Sequence, residues 1–192
     1  GNHDMVYRNP DTVKKNLSTY FDPKVGEDVE LFGDIKYHEA IVLKHKDTNQ
    51  EIFLTHGHQA DFMNYVGWRI NRFLVRILWK PLQVVGIADP TSPAKNYKEL
   101  IKVERRTKKW IVANNNKLTI TGHTHRPRFP EPGDIAYFND GSCVHPRSIT
   151  GLELEHGEIS LVKWDIATTD DGVLKIVRVL LEGPTAIASY AE

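Results

Sequence analysis

The stretch KLTITGHTH, Lys117 to His125, decides how the chain is read. Leu118 to Thr121 is short and rich in apolar and β-branched residues, the composition of a buried strand. It ends on Gly122 and then sets out His123 and His125 two residues apart. In extended backbone such a pair projects to one side. The glycine lets the chain turn sharply at the end of a rigid element.

Two further clusters share that grammar. Ile52 to Thr55 reads as a strand that delivers His56 within THGH (Thr55 to His58), and the chain opens on GNHD (Gly1 to Asp4). Imidazole is the commonest transition-metal ligand, and Asn and Asp oxygens complement it for Mn²⁺, Fe or Zn²⁺. One such cluster among nine histidines says little. Three of them, each opening the chain or following a strand, point to a metal site.

The 192 residues are enough for one domain with a sizeable core, and 40% hydrophobic content is ordinary for a globular protein. Twenty-five basic residues balance twenty-five acidic ones, so overall charge selects neither nucleic acid nor an anionic surface as main partner. The single cysteine, Cys143, excludes an internal disulfide and suits a reducing compartment. No run approaches the roughly 18 to 20 apolar residues of a spanning helix, and no leader segment is visible. The expectation is a cytoplasmic protein, and a chain starting at Gly1 without an initiator Met reads as a processed product or a fragment.

Asn9 to Tyr20 reads as a short helix, with Pro10 and Asp11 at its start and Val13, Leu17 and Tyr20 on one face. The turn residues of KDTNQ, Lys46 to Gln50, join two antiparallel strands. From Ala60 to about Asn114 the period becomes helical, with Phe62, Val66, Ile70, Phe73 and Ile77 at steps of three and four. Pro81, Pro90 and Pro93 break it before a second helix, roughly Asn96 to Val112. The remainder reads as strand and hairpin: AYFND, then GLELEHGEISLVKWDI turning at His156-Gly157, then VLKIVRVLLEG. Helices and strands mix throughout, which predicts a layered α/β or α+β sandwich.

The ordered set GNHD, HGH and GHTH resembles the calcineurin-like metallophosphoesterases, whose signature runs D-x-H, G-D-x-x-D, G-N-H-[DE], H, G-H-x-H. The resemblance extends from Gly1 to about Lys163. It implies a four-layer αββα sandwich, one domain over residues 1–192 that lacks its N-terminal strands, with a helical insert or lid over residues 60–114. It implies two divalent metal ions (Mn, Fe or Zn), with Asn2, His56 and His123 on the second and His125 on the first. His3 resembles the histidine that protonates the leaving oxygen, with Asp4 as its carboxylate partner. His58 and Arg126 are expected at the substrate, His58 behind the ligands and Arg126 on phosphate.

The physics agrees with those roles. Paired cations clamp phosphate oxygens and make hydroxide available near neutral pH. A neighbouring carboxylate keeps an imidazolium accessible as general acid. The D-x-H and G-D-x-x-D motifs, which would supply the bridging aspartate, are not in this sequence. The chain alone is therefore expected to hold an incomplete site, and its open sheet edges to favour self-association.

The expected activity is hydrolysis of a phosphomonoester or phosphodiester by metal-activated hydroxide. Between Arg69 and Lys109 the insert carries eleven Lys and Arg against Asp89, Glu99 and Glu104, a local charge of +8, with Trp68, Phe73, Trp79 and Trp110 interleaved. Such a segment can cap a site, hold an anionic substrate or touch a lipid membrane surface. GHTHRP and the insert's position are also similar to the bacterial UDP-diacylglucosamine pyrophosphatase branch, so a lipid-linked UDP-sugar is an alternative substrate. No specific nucleic-acid partner is indicated, although the basic patch permits a nucleic-acid phosphodiester as substrate. The alternative from another class is a non-catalytic protein-interaction module on the same fold, as in the retromer subunit. His3, the acid histidine, is retained here.

Overall fold

The computed structural model describes residues 1–46, 48–84, 86, 94 and 96–191. Asp47 in the expected turn, and Asp89, Pro90, Pro93 and Lys95 between the helices, lie outside the described residues. The chain is of mixed α/β class and divides into two compact units, Gly1–Glu39 and Ala40–Glu192.

The first unit starts with a 3₁₀ stretch, Asn2–Arg8, followed by α1 (Pro10–Leu17). The Asn9 side chain caps α1 by accepting from the Asp11 N–H at 2.9 Å, and Pro10 occupies the first turn, where its missing N–H costs nothing. The helix ends earlier than its periodicity predicts. Thr19 to Asp22, β-branched and aromatic at its core, forms β1 instead, paired antiparallel with β2 (Glu27–Glu30). Met5 and Val13 are buried, the Tyr37 hydroxyl reaches the Met5 sulfur at 3.8 Å, and Arg8 pairs with Glu39 at 2.6 Å.

The second unit is built on a four-stranded sheet ordered β3 (Ala40–Lys44), β4 (Glu51–Thr55), β5 (Thr119–Thr121), β6 (Tyr137–Asn139). The β3–β4 pair is antiparallel, as the turn residues of KDTNQ predict, while β4, β5 and β6 run parallel. A second, antiparallel sheet holds β7 (Ser148–Glu155), β8 (Glu158–Thr168) and β9 (Leu174–Ala186). His156 and Gly157 close the β7–β8 hairpin in the left-handed region at φ 51° and 79°, the backbone that two-residue hairpins prefer.

Alternation along the strands fixes the layers. Ile52, Ile120 and Phe138 face Ile159 of the second sheet and the C-terminal Ile187 and Tyr190, forming one buried apolar cluster. Phe138 is the hub, edge-on to Phe129 at 5.2 Å and to Tyr190 at 5.1 Å between ring centroids. The opposite face takes α5 (Tyr97–Ala113), whose Trp110 ring lies 4.8 Å from Phe53 and whose Lys108 ammonium lies 5.9 Å from the Tyr137 ring. Asn96 caps α5 by accepting from Lys98, and Leu100, Val103, Glu104, Thr107 and Ile111 form its buried face. It stops at three asparagines, of which Asn115 and Asn116 take left-handed φ of 59° and 48°.

The segment before α5 departs from a single helix. It comprises α2 (Phe62–Tyr65), α3 (Trp68–Leu74), one π-helical turn at Val75–Trp79 and α4 (Lys80–Val84). Pro81 does not break it. The proline cannot donate an N–H back to the preceding turn, and the irregularity falls there, on the π turn that runs directly into α4. The apolar stripe read from the sequence is present but faces outward, with Phe62, Val66, Ile70, Phe73 and Ile77 between 59% and 65% exposed.

Truncating the hub should expose how much the two sheets depend on it. Phe138→Ala is expected to cost about 3–5 kcal/mol in urea unfolding, whereas Ile149→Ala on the exposed part of β7 should cost less than about 1 kcal/mol.

Candidate functional site at the ends of the parallel strands

The register sets Leu54 beside Ile120 and Thr121 beside Asn139, so β4, β5 and β6 end at one level. In open α/β sheets the carboxyl ends of parallel strands are where solutes bind, because the loops leaving them converge there. Here those loops are His56-Gly57-His58, Gly122-His123-Thr124-His125 and Asp140-Gly141. The Gly122 N–H donates to the His56 carbonyl at 3.1 Å, joining the first two.

Three imidazoles meet there. The His56 ring centroid lies 5.3 Å from those of both His58 and His123, and His58 lies 6.2 Å from His123. His58, 1% exposed, sits inside the cluster against the Tyr65 ring at 5.8 Å. Gly57 permits this closeness. Its φ is +95°, and a Cβ on it would lie 3.2 Å from the Thr121 side chain.

The GHTH backbone differs from an extended His-x-His. His123 and His125 both take left-handed φ, 66° and 56°, and the Thr124 N–H donates to the Gly122 carbonyl at 2.7 Å, a γ-turn around His123. Such conformations cost of order 1–3 kcal/mol each and persist only where neighbours hold them. Asn139 does the holding. Fully buried, it donates through Nδ2 to the Gly122 carbonyl at 2.7 Å and reaches the Thr121 and Thr124 hydroxyls at 3.1 and 3.2 Å. Its Oδ1 accepts from the Gly141 N–H at 2.9 Å. The result turns His123 inward and leaves His125 and Arg126 exposed. The Arg126 guanidinium lies 5.5 Å from the Tyr97 ring centroid at the start of α5.

Asp61 completes the cluster. Its Oδ2 meets His123 Nε2 at 3.2 Å and accepts from Asn64 Nδ2 at 2.6 Å, while Oδ1 accepts from the N–H groups of Met63 and Asn64 and caps α2. Asn71 of α3 extends the chain by donating to Asn64 Oδ1 at 2.9 Å. Burial pushes the Asp61 carboxyl up, but donation from His123 and Asn64 outweighs it and holds the group below the usual carboxylate range. Across the rim, desolvation by burial raises the Asp140 carboxyl to about 6, a shift partly offset by a backbone hydrogen bond. Its Oδ1 lies 3.0 Å from where a Cβ on Gly122 would stand.

Asn2, His3 and Asp4 belong to the first unit, at the start of its 3₁₀ stretch. His3 and Asp4 are exposed, and Asp4 Oδ2 accepts from the Gly1 amino group at 2.9 Å. The residue types of the strand-end cluster suit a divalent ion. Among the described residues, however, no three His, Cys, Asp or Glu side chains are arranged to hold one, and His123 directs Nε2 to Asp61.

Comparison with known proteins gives little more. No family model matches the chain, and no curated protein matches it. Among solved structures, wild-type Vps29 complexed with Zn²⁺ from Entamoeba histolytica is 21% identical over 78% of this chain and 67% of that one, at a TM-score of 0.35. At that score the likeness carries no argument about fold or activity.

Asp61 and Asn139 were not visible as site residues in the sequence; both act through partners far along the chain. Asp61→Ala should cost on the order of 2–4 kcal/mol at neutral pH, because it removes a helix cap and the buried acceptor shared by His123 and Asn64. The folded carboxyl titrates below its ordinary 3.8, so this contribution is present above that value and is lost as pH falls through the folded pKa. Urea unfolding of the two proteins across that range should show the gap closing in acid.

Proposed function

We propose that the chain is the metal-binding part of a phosphate-ester hydrolase of metallophosphoesterase type. The observation that supports this most is the convergence of His56, His58 and His123 with Asp61 at the ends of the parallel strands. The order GNHD, HGH, GHTH along the chain points the same way.

In this reading His56, His123 and His125 hold divalent metal, and His58 and Asp61 support them from behind. Bound metal would supply charge for the phosphate oxygens and an acidified water. For its part the protein binds and orients. Asp61 fixes the tautomer and tilt of His123, as carboxylates behind ligating histidines do. Exposed Arg126 presents a planar, bidentate donor to a phosphate. His3 is the proton donor to the leaving oxygen, with Asp4 as its partner. The second reading is a non-catalytic interaction module on the same fold, in which the His123–Asp61 pair is purely structural.

Metal analysis of the purified chain, run beside hydrolysis of bis(p-nitrophenyl) phosphate with added Mn²⁺, separates the two readings. In the intact enzyme the first reading expects His123→Ala to lower metal content and turnover together. It expects His3→Ala to lower turnover there by ~10²-fold or more with metal content nearly unchanged. Equal metal loss in both variants would overturn the roles, and metal content unaffected by His123→Ala would overturn the site.

A further inference from the structure

The helical segment that leaves the histidine cluster carries an apolar face with nothing over it among the described residues. Phe62, Val66, Ile70, Phe73 and Ile77 are 60%, 64%, 65%, 60% and 59% exposed, and Leu78 is 43% exposed. Isolated exposed apolar residues are ordinary, but six within one short segment, five of them at helical spacing, are not. Burying it would be favourable against any dry surface.

Charge decides which surface. From Phe62 to Val84 the sequence holds Arg69, Arg72, Arg76 and Lys80 and no acidic residue. Arg69, Arg72 and Arg76 are exposed beside the stripe, and among the described residues none is paired with a carboxylate. Arg69 lies 5.5 Å from the Trp68 ring centroid, and Trp68 and Trp79, both half-buried, bracket the arginines. A second copy packed face to face would set its own arginines against Arg69, Arg72 and Arg76. A nucleic acid would match the charge but leave the apolar side chains in water. An anionic lipid surface satisfies both, taking the stripe at the acyl boundary and the guanidinium groups among the headgroup phosphates.

We propose that the face running from Phe62 to Ile77 docks on anionic membrane surfaces. The segment lies in the interface: among the described residues no helix is long and apolar enough to cross a membrane. Asp61 begins this segment, and the Asp61–Asn64–Asn71 hydrogen bonds run from it to His123, so docking would hold the strand-end cluster next to the lipid headgroups.

The test is flotation of the full chain with vesicles of pure phosphatidylcholine and of an equimolar mixture of phosphatidylcholine and phosphatidylglycerol. The chain should float with the mixed vesicles and not the neutral ones, and raising salt should release it. The double variant Arg72→Gln, Arg76→Gln should lower the partition on the order of tenfold, and Ile70→Ser, Phe73→Ser should abolish it. All four side chains are exposed, so both variants should keep the parent's circular dichroism spectrum. Equal flotation with both vesicle types, or none with either, would overturn the proposal. So would a dimer in sedimentation equilibrium that Ile70→Ser, Phe73→Ser dissolves while vesicles are ignored.

Discussion

Parallel pairing of β4, β5 and β6 is the constraint on which the second unit depends. Because Leu54 stands beside Ile120 and Thr121 beside Asn139, three chain segments leave the sheet at one level. The pairing itself is held from below by apolar burial, with Ile52, Ile120 and Phe138 packed against Ile159, Ile187 and Tyr190. A rigid floor of that kind lets the loops above adopt backbone that would not persist on its own.

The loops use that permission. His123 and His125 sit at positive φ, and Gly57 at +95° brings the neighbouring turn against them. What offsets the strain is a buried polar set: Asn139 on the Gly122 carbonyl and the two threonine hydroxyls, and Asp61 on His123 and Asn64. Buried polar groups are costly unless satisfied, and satisfied ones fix a single arrangement. The same carboxylate caps α2, so the first turn of the helical segment and the orientation of a cluster histidine depend on one side chain.

Much of this was legible in the sequence because it is local. A short β-rich run that ends in glycine and histidine announces a strand tip, and both THGH and GHTH follow strands as read. The β7–β8 hairpin and its His156-Gly157 turn, and the boundaries of α5, follow equally from near neighbours. The rest was not local. Asp61 and His123 are 62 positions apart, and Asn139 acts on Gly122 across 17. No spacing rule connects them. The left-handed φ of His123 and His125 is imposed by those distant partners, so an extended His-x-His was the natural but inaccurate reading. The apolar stripe was also read correctly as helical, while its outward orientation was not available from periodicity, which marks a face and not what it meets.

Whether the strand-end cluster binds metal is read out by adding substoichiometric Mn²⁺ and following paramagnetic broadening of the histidine ring resonances. If the cluster binds the ion, His56, His58, His123 and His125 broaden first, ahead of His45, His145 and His156 elsewhere in the second unit. Broadening that begins at His45, His145 or His156, or spreads evenly over all of them, would show that it does not.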